Sequence, residues 1–178
     1  MEIVGEGSVA KSFACGPPPV QLTATPTVGW SFEGYSGDYN GTSAVADVTF
    51  SAGDVVTATF TQNQYVITDT VNDGMNGTVG GTISKSTPAF LPGYVHNEVA
   101  TVSLTLNPGW AFTGWSGDLA TTNLTETLTM TDDKVIVANV ARIPYSVTVN
   151  VVGSGTASPS AGPYYYGDSV TLTLSLIH

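Results

Sequence analysis

Oxygen-bearing side chains crowd one short polar segment of this chain. Two aspartates and two asparagines lie there beside a glycine that suits a turn. Carboxylate and amide oxygens are the ligands that Ca²⁺ takes in proteins, although the spacing lacks the terminal Glu of an EF-hand loop. A plain polar loop is the simpler interpretation and a calcium site the alternative, and the sequence predicts no other cofactor. The candidate metal ligands are Asp69, Asn72, Asp73 and Asn76.

A second set of side chains is aromatic and offers flat apolar faces that could stack on sugar rings. Carbohydrate binding requires several of these rings to be exposed in one plane, whereas a structural role requires them to be buried. A core role is the primary interpretation and a polysaccharide ligand the alternative, and the burial of Trp115 distinguishes the two. The candidate ligand-binding residues are Tyr35, Trp115, Tyr164 and Tyr165.

Catalytic side chains are sparse. Nucleophilic catalysis by Ser or Cys commonly uses a nearby His, and the chain has two: His96, in a loop without a counterpart elsewhere in the sequence, and His178. Zinc sites need clustered His and Cys, whereas this chain has one cysteine, Cys15. Nearly all acidic residues lie in Gly-containing turns, which favours solvated turn positions over the paired carboxylates of a glycosidase. We therefore expect a protein without enzymatic activity.

Composition narrows the range of partners. Four Lys and Arg stand against 14 Asp and Glu, a formal charge of −10, so nucleic acids and anionic lipid surfaces are not expected as partners. No apolar run approaches the about 18 residues of a membrane helix, and the first five residues lack a signal-peptide pattern. Cys15 cannot form an internal disulfide. Abundant Thr, Val and Gly with only 10% charged residues favour strands and turns.

An internal repeat organises the chain. The residues from Gly29 to Asp38 match those from Gly109 to Asp118, so aromatic, Gly and Asp positions recur 80 residues apart. We expect the Trp and Phe to centre one small core per copy. Gly34 and Gly114 are expected to allow a bend or bulge, after which Tyr35 or Trp115 packs at the edge. The Asp is expected to close a turn through side-chain hydrogen bonds with the backbone. The structural motif consists of Trp30, Phe32, Asp38, Trp110, Phe112 and Asp118.

The repeat predicts three copies: residues 1–63 with a truncated opening strand, a complete copy at 64–143, and a partial copy at 144–178. Apolar residues alternate with Thr or Ser in each copy, a pattern typical of strands with one buried face. The clearest opening strand is residues 145–151. We therefore expect an all-β protein of tandem small antiparallel β modules, sandwich-like, with about 80 residues per repeat.

The repeated pieces also carry a family resemblance. The chain has a Tyr-led strand, a Gly-x-Gly turn, a strand that begins Tyr-Gly-Asp, a Gly-Trp motif and a closing Val-Thr-Ala-x-Phe strand. They stand at residues 145–151, 153–155, 166–172, 109–118 and 56–60. In this order the pieces resemble the divergent B-repeat family of bacterial cell-surface proteins, named after the B repeats of internalins. The resemblance implies small β-rich modules, β-grasp-like in fold, that serve secreted or surface-anchored proteins as spacers or adhesive stalks. It implies no catalytic residues.

Three functions follow as hypotheses. The leading one is a non-catalytic, extracellular structural or adhesive repeat module of a surface or filament-forming protein, whose partners are further repeats of the same chain or neighbouring copies. The first alternative is a carbohydrate-binding module that uses exposed aromatic rings. The second alternative is a fibre subunit, in which strands left unpaired by a partial copy complete the sheet of a neighbouring chain and so form a homopolymer.

Overall fold

The computed structural model describes residues 1–13, 19–75 and 80–175. These residues form sixteen β-strands and no helix, so the predicted all-β class is confirmed. Within the same residues, no helix has the length and apolarity to cross a membrane. Cys15, Asn76 and His178 lie outside the described residues.

The first copy folds into two three-stranded sheets. One sheet has the order β2-β3-β5 and is antiparallel throughout. The other has the order β1-β6-β4, in which β6 runs antiparallel to β4 and parallel to β1. The predicted antiparallel pairing thus holds for the other strands of this copy, and the parallel pair of β1 and β6 is an addition to it. The strands are β1 (Glu2–Val4), β2 (Gly7–Phe13), β3 (Val20–Pro26), β4 (Trp30–Gly37), β5 (Val45–Val48) and β6 (Val56–Gln62).

The second copy repeats this arrangement. Its sheets have the orders β9-β11-β13 and β8-β14-β12, which correspond strand by strand to those of the first copy. An additional antiparallel pair joins β7 to β10. The strands are β7 (Gln64–Tyr65), β8 (Ile67–Asn72), β9 (Gly81–Lys85), β10 (Tyr94–Val95), β11 (Val99–Leu106), β12 (Trp110–Gly117), β13 (Thr125–Thr129) and β14 (Lys134–Arg142).

The third copy contains the antiparallel pair of β15 (Thr156–Pro159) and β16 (Leu172–Ser175). Its predicted opening strand at 145–151 is not formed, apart from one bridge between Tyr145 and Tyr164. In the first copy, the opening strand pairs with the closing strand β6, and residues 144–178 include no counterpart of β6. An alternating sequence becomes a strand only when a neighbour accepts its backbone hydrogen bonds.

The core of the first copy lies between its two sheets. The buried residues of β3, β5 and β6 occupy alternate positions along each strand, because alternate side chains of a strand point to opposite faces. Both sheets therefore contribute side chains to one apolar cluster, which consists of Leu22, Ala24, Tyr35, Ala46, Val48, Val56, Ala58 and Phe60.

The same alternation recurs in the second copy. On β14, Ile136 and Ala138 are fully buried and Val135 is exposed. On β11, Val102 is fully buried and Val99 is exposed. The alternation expected from the sequence is thus confirmed in both complete sets of strands.

The chain divides into two compact units. The first consists of Met1–Val66, Thr87–Ala100 and Thr129–Lys134. The second consists of Ile67–Ser86, Thr101–Leu128 and Val135–His178. The segment Thr87–Ala100, which follows β9 in the second copy, is therefore part of the same compact unit as the whole first copy.

Candidate functional site

The aromatic motif of each copy contains a β-bulge. The register of β4 against β6 shifts between Phe32 and Gly34, and that of β12 against β14 shifts between Phe112 and Gly114. Gly114 has a φ of 138°, a conformation that side chains disfavour. The bulge predicted at these glycines is confirmed in both copies.

The bulge places the ring that follows it in the core. Opposite residues of an antiparallel pair share a face, and Phe32 faces Phe60 while Tyr35 faces Ala58. Because Phe60 and Ala58 both point into the core, the skipped residue brings Tyr35 to the same side as Phe32. Without the bulge, the odd spacing between Phe32 and Tyr35 would turn the tyrosine outwards.

The burial of the motif corrects the sequence-based assignment. Tyr35 and Trp115, expected at the edge, are only 4% and 5% exposed. Trp30 and Phe32, expected at the centre, are half-buried. In the second copy Trp110 is buried and Phe112 is half-buried. In both copies the ring that follows the bulge is therefore buried, joined in the second copy by Trp110. Trp30 and Phe32 pack against the first core.

The polar group of each of these buried rings, Tyr35 and Trp115, donates a hydrogen bond to a backbone carbonyl. The Tyr35 hydroxyl donates to the carbonyl of Ala44 at 3.1 Å, and the Trp115 indole N–H donates to the carbonyl of Asn123 at 2.9 Å. Burial, and then the nearby Tyr39, raises the pKa of Tyr35 above its ordinary value, because low polarity disfavours the phenolate. The hydroxyl therefore stays protonated and acts as a donor.

The aspartate at the end of each motif clamps two strands together. Asp38 accepts a hydrogen bond from the backbone N–H of Val55 at 2.7 Å, and Asp118 accepts one from Val135 at 2.7 Å. The backbone N–H groups of the two aspartates donate in return to the carbonyls of Val55 and Val135. Each aspartate side chain thus bonds to backbone as predicted, but the bond does not close a local turn. It joins the end of the aromatic strand to the start of the closing strand, 17 residues further along the chain.

The predicted sugar-stacking residues do not form an exposed plane. Tyr35, Trp115 and Tyr164 are buried. The fourth ring, Tyr165, is half-buried and lies under the guanidinium of Arg142, 3.9 Å from the ring centroid. Because three of the four rings are buried, these residues offer no exposed plane of the kind that the alternative requires.

Three of the four predicted calcium ligands bond to other groups of the protein, and the fourth, Asn76, lies outside the described residues. Asp69 forms an ion pair with Lys85, and Asn72 donates through Nδ2 to Oδ1 of Asn139 at 2.9 Å. The carboxylate of Asp73 accepts from the N–H groups of Met75 and Gly80. Across residues 1–13, 19–75 and 80–175, no group of three or more His, Cys, Asp or Glu side chains is placed to hold a metal. Calcium binding stays a prediction from the sequence alone.

Sequence reasoning missed a loop that the second and third copies share. In residues 94–98, the N–H of Val95 donates to Oε2 of Glu98 and the N–H of Glu98 donates to the carbonyl of Val95, both at 3.0 Å. In residues 164–168, Tyr165 and Asp168 make the same reciprocal pair at 2.7 and 3.0 Å. We call the two segments the aromatic loops.

The aromatic loops agree position by position. The first residues, Tyr94 and Tyr164, are both buried. The fourth, Asn97 and Gly167, both have left-handed backbones, with φ of 64° and 87°. His96 therefore corresponds to Tyr166, which corrects the expectation that His96 has no counterpart. The signal in the sequence was a Tyr followed four residues later by an acidic residue, at a spacing of 70 that differs from the main repeat.

Comparison with known proteins points to one family. A family model described as a divergent InlB B-repeat domain matches residues 4–64 and again residues 67–144. Neither the curated proteins nor the solved structures contain a match to the chain.

Proposed function

Because the chain belongs to the divergent InlB B-repeat family, we propose that it is an extracellular repeat module whose work is structural or adhesive and requires no catalysis. Its copies hold distance along a surface protein and present their outer faces to partners. The proposed copies are residues 1–63, 64–143 and 144–178, and further copies of the same kind are the natural neighbours.

The observation that supports this proposal is the duplication of one self-contained module. The first two copies have the same order of strands in both sheets. Both have the bulge after the motif Phe and the clamp formed by Asp38 or Asp118. A row of modules that each bury their own core can be lengthened without redesign, which is the property that a spacer needs.

The backbone of the modules suits an exposed location. Most described residues of the first two copies lie in hydrogen-bonded strands. Proteases cleave segments that open or extend away from the fold, and paired strands open rarely. Modules of this kind are therefore expected to persist where proteases are present.

The location can be tested with antibodies raised against this chain. We expect them to label intact cells of the source organism, and we expect brief protease treatment of those cells to remove the signal. An antibody to a cytoplasmic protein serves as the control for cell integrity. Labelling that occurs only after the cells are permeabilised would contradict the proposal.

A second candidate, assembly by strand exchange, is favoured by the exposed apolar residues of the third copy. Leu172 and Leu174 on β16 are 49% and 78% exposed, and residues 146–151 form no strand. Apolar residues on an unpaired edge favour the addition of a further strand. That strand would come from a neighbouring molecule of this chain.

Sedimentation of the 178-residue chain over a wide range of concentrations tests the second candidate. Assembly predicts mass that rises with concentration, and Leu174→Lys should abolish the rise while Val45→Lys, at another exposed strand position, should not. A monomer at all concentrations would exclude assembly and leave the spacer proposal unaffected.

A further inference from the structure

The turn before each motif tryptophan has the same conformation in both copies. In residues 27–30, the N–H of Trp30 donates to the carbonyl of Thr27, and in residues 107–110 the N–H of Trp110 donates to that of Asn107. The glycines of the two turns, Gly29 and Gly109, have left-handed backbones with φ of 84° and 83°. We call these two segments the Gly-Trp turns.

Each Gly-Trp turn is in close contact with an aromatic loop. In the first compact unit, a Cβ built on Gly29 would overlap the Cβ of His96. In the second compact unit, a Cβ built on Gly109 would overlap the Cβ of Tyr166. Only a hydrogen atom fits at either glycine, so the loop lies directly on the backbone of the turn.

The same turns hold the chain where it leaves each copy. The carbonyl of Gly29 accepts from the N–H of Asn63, and that of Gly109 accepts from Ile143, each at 2.8 Å. Asn63 and Ile143 lie just beyond the closing strands β6 and β14. The carbonyl of each glycine therefore accepts a hydrogen bond from the first residue after the closing strand. The α-carbon of the same glycine contacts the aromatic loop of the next copy.

The contact depends on shape more than on a particular side chain. His and Tyr differ in charge and hydrogen-bonding groups, yet they occupy the same position of the loop and meet the same glycine. Nδ1 of His96 is buried, and within the part of the chain that the structure describes it has no hydrogen-bond partner. The ring of His96 instead faces the ring of Tyr65, with 6.2 Å between centroids.

We propose that the Gly-Trp turn of each copy is a docking surface whose partner is the aromatic loop of the next copy, and that this contact couples the stability of neighbouring copies. The glycine is the specificity-determining residue, because any side chain at its position expels the loop. This proposal does not depend on an extracellular location, so it can fail or succeed independently of the proposed function.

The first test changes a loop residue and measures the copy on which the loop docks. His96→Ala should raise the hydrogen-exchange rates of the β6 amides in the first copy by about tenfold, as expected for residues in contact. Val99→Ala, an exposed position three residues along the same segment, should change those rates less than about twofold. Equal effects of the two variants on β6 would overturn the proposal.

The second test uses compensation between the two contacting residues. Gly29→Ala introduces both a strained backbone and the clash, whereas Gly53→Ala introduces strain only, because Gly53 has a φ of 100° and no atom near its Cβ direction. His96→Gly removes the Cβ that Gly29→Ala would strike. It should therefore slow β6 exchange in the Gly29→Ala background by about tenfold and accelerate it in the Gly53→Ala background.

Docking predicts that His96→Gly changes the β6 exchange rate in opposite directions in the two backgrounds. If His96→Gly accelerates β6 exchange equally in both backgrounds, the two residues are independent and the docking proposal is wrong. Should Gly29→Ala fail to fold, the comparison of His96→Ala with Val99→Ala decides the question, because both of those variants keep every glycine.

Discussion

At the scale of single residues, the two motif aspartates have the clearest energetic role. Each carboxylate accepts a backbone N–H 17 residues further along the chain, and each backbone N–H of the aspartate is bonded in return. Charge-assisted bonds to a backbone donor are stronger than neutral ones, although solvent around these exposed side chains weakens the effect.

Asp118→Ala should lower the free energy of unfolding by about 1 kcal/mol, because the N–H of Val135 loses its acceptor. Asp118→Asn keeps an acceptor oxygen and should cost about half as much. Urea denaturation followed by circular dichroism measures both variants. An alanine variant as stable as the parent protein would contradict the clamp.

Tyr35 links burial to alkaline stability. Burial and the neighbouring Tyr39 raise the pKa of its phenol above the ordinary tyrosine value of 10.0. Unfolded chains then lose this proton at a lower pH than the folded protein does, so the stability that Tyr35 contributes is complete below pH 10.0 and declines as pH rises through the folded pKa.

Above pH 10, the free energy of unfolding should fall with rising pH in the parent protein, and it should fall less steeply in Tyr35→Phe. Tyr166→Phe, which changes an exposed ring, provides the matched control and should keep the slope of the parent. Thermal unfolding at a series of alkaline pH values supplies the measurement. Identical slopes for Tyr35→Phe and the parent would contradict this role of Tyr35.

At the scale of elements, the closing strand β14 shows most clearly how alternation places side chains in the core. On β14 the neighbours Val135 and Ile136 point to opposite faces, one exposed and the other fully buried. Strand geometry requires this alternation, and the sequence predicted it from the apolar spacing alone.

Ile136→Ala should lower the free energy of unfolding by about 2–5 kcal/mol, because it leaves a cavity in a packed interior. Val135→Ala should change it by less than about 0.5 kcal/mol. Chemical denaturation of the two variants measures the difference. Similar costs at the two adjacent positions would show that the register of β14 is wrong.

The elements also show where local patterns fail. Residues 145–151 alternate as cleanly as any strand of the chain, yet they form only the bridge between Tyr145 and Tyr164. The alternating pattern indicates which face of a strand would be buried. The strand forms only where a neighbouring strand has free backbone N–H and C=O groups to pair with it. The first copy supplies that neighbour through β6.

At the scale of the whole molecule, charge is the dominant long-range feature. The chain carries four Lys and Arg against 14 Asp and Glu. Because the net charge is −10, the acidic side chains repel one another more strongly in the compact folded state than in the expanded unfolded state. Dissolved salt screens this repulsion, since the Debye length falls from about 30 Å at about 0.01 M to about 8 Å at about 0.15 M.

The melting temperature should therefore rise by about 2–4 °C when NaCl is increased from about 0.01 M to about 0.15 M. An equal osmolality of an uncharged solute controls for effects other than screening. Differential scanning calorimetry gives the measurement. A melting temperature that falls with salt would mean that attractive ion pairs, such as Asp69 with Lys85, outweigh the net repulsion.

The sequence by itself determined the features that local patterns encode. Alternation fixed the all-β class, the 80-residue recurrence fixed the duplication of the module, and Gly34 and Gly114 identified the bulges. These features depend on the side-chain periodicity of a strand and on the conformational freedom of glycine, both of which belong to the chain itself.

Tertiary structure decided which side chains those features bring together. The burial of Tyr35 depends on the bulge, which leaves one residue of β4 without a partner in β6. The equivalence of His96 with Tyr166 depends on the Gly-Trp turn that each one contacts. The engagement of Asp69 by Lys85 likewise depends on packing between β8 and β9. Such contacts join residues far apart in the chain, because burial and hydrogen-bond pairing are satisfied by neighbours in space rather than by neighbours in sequence.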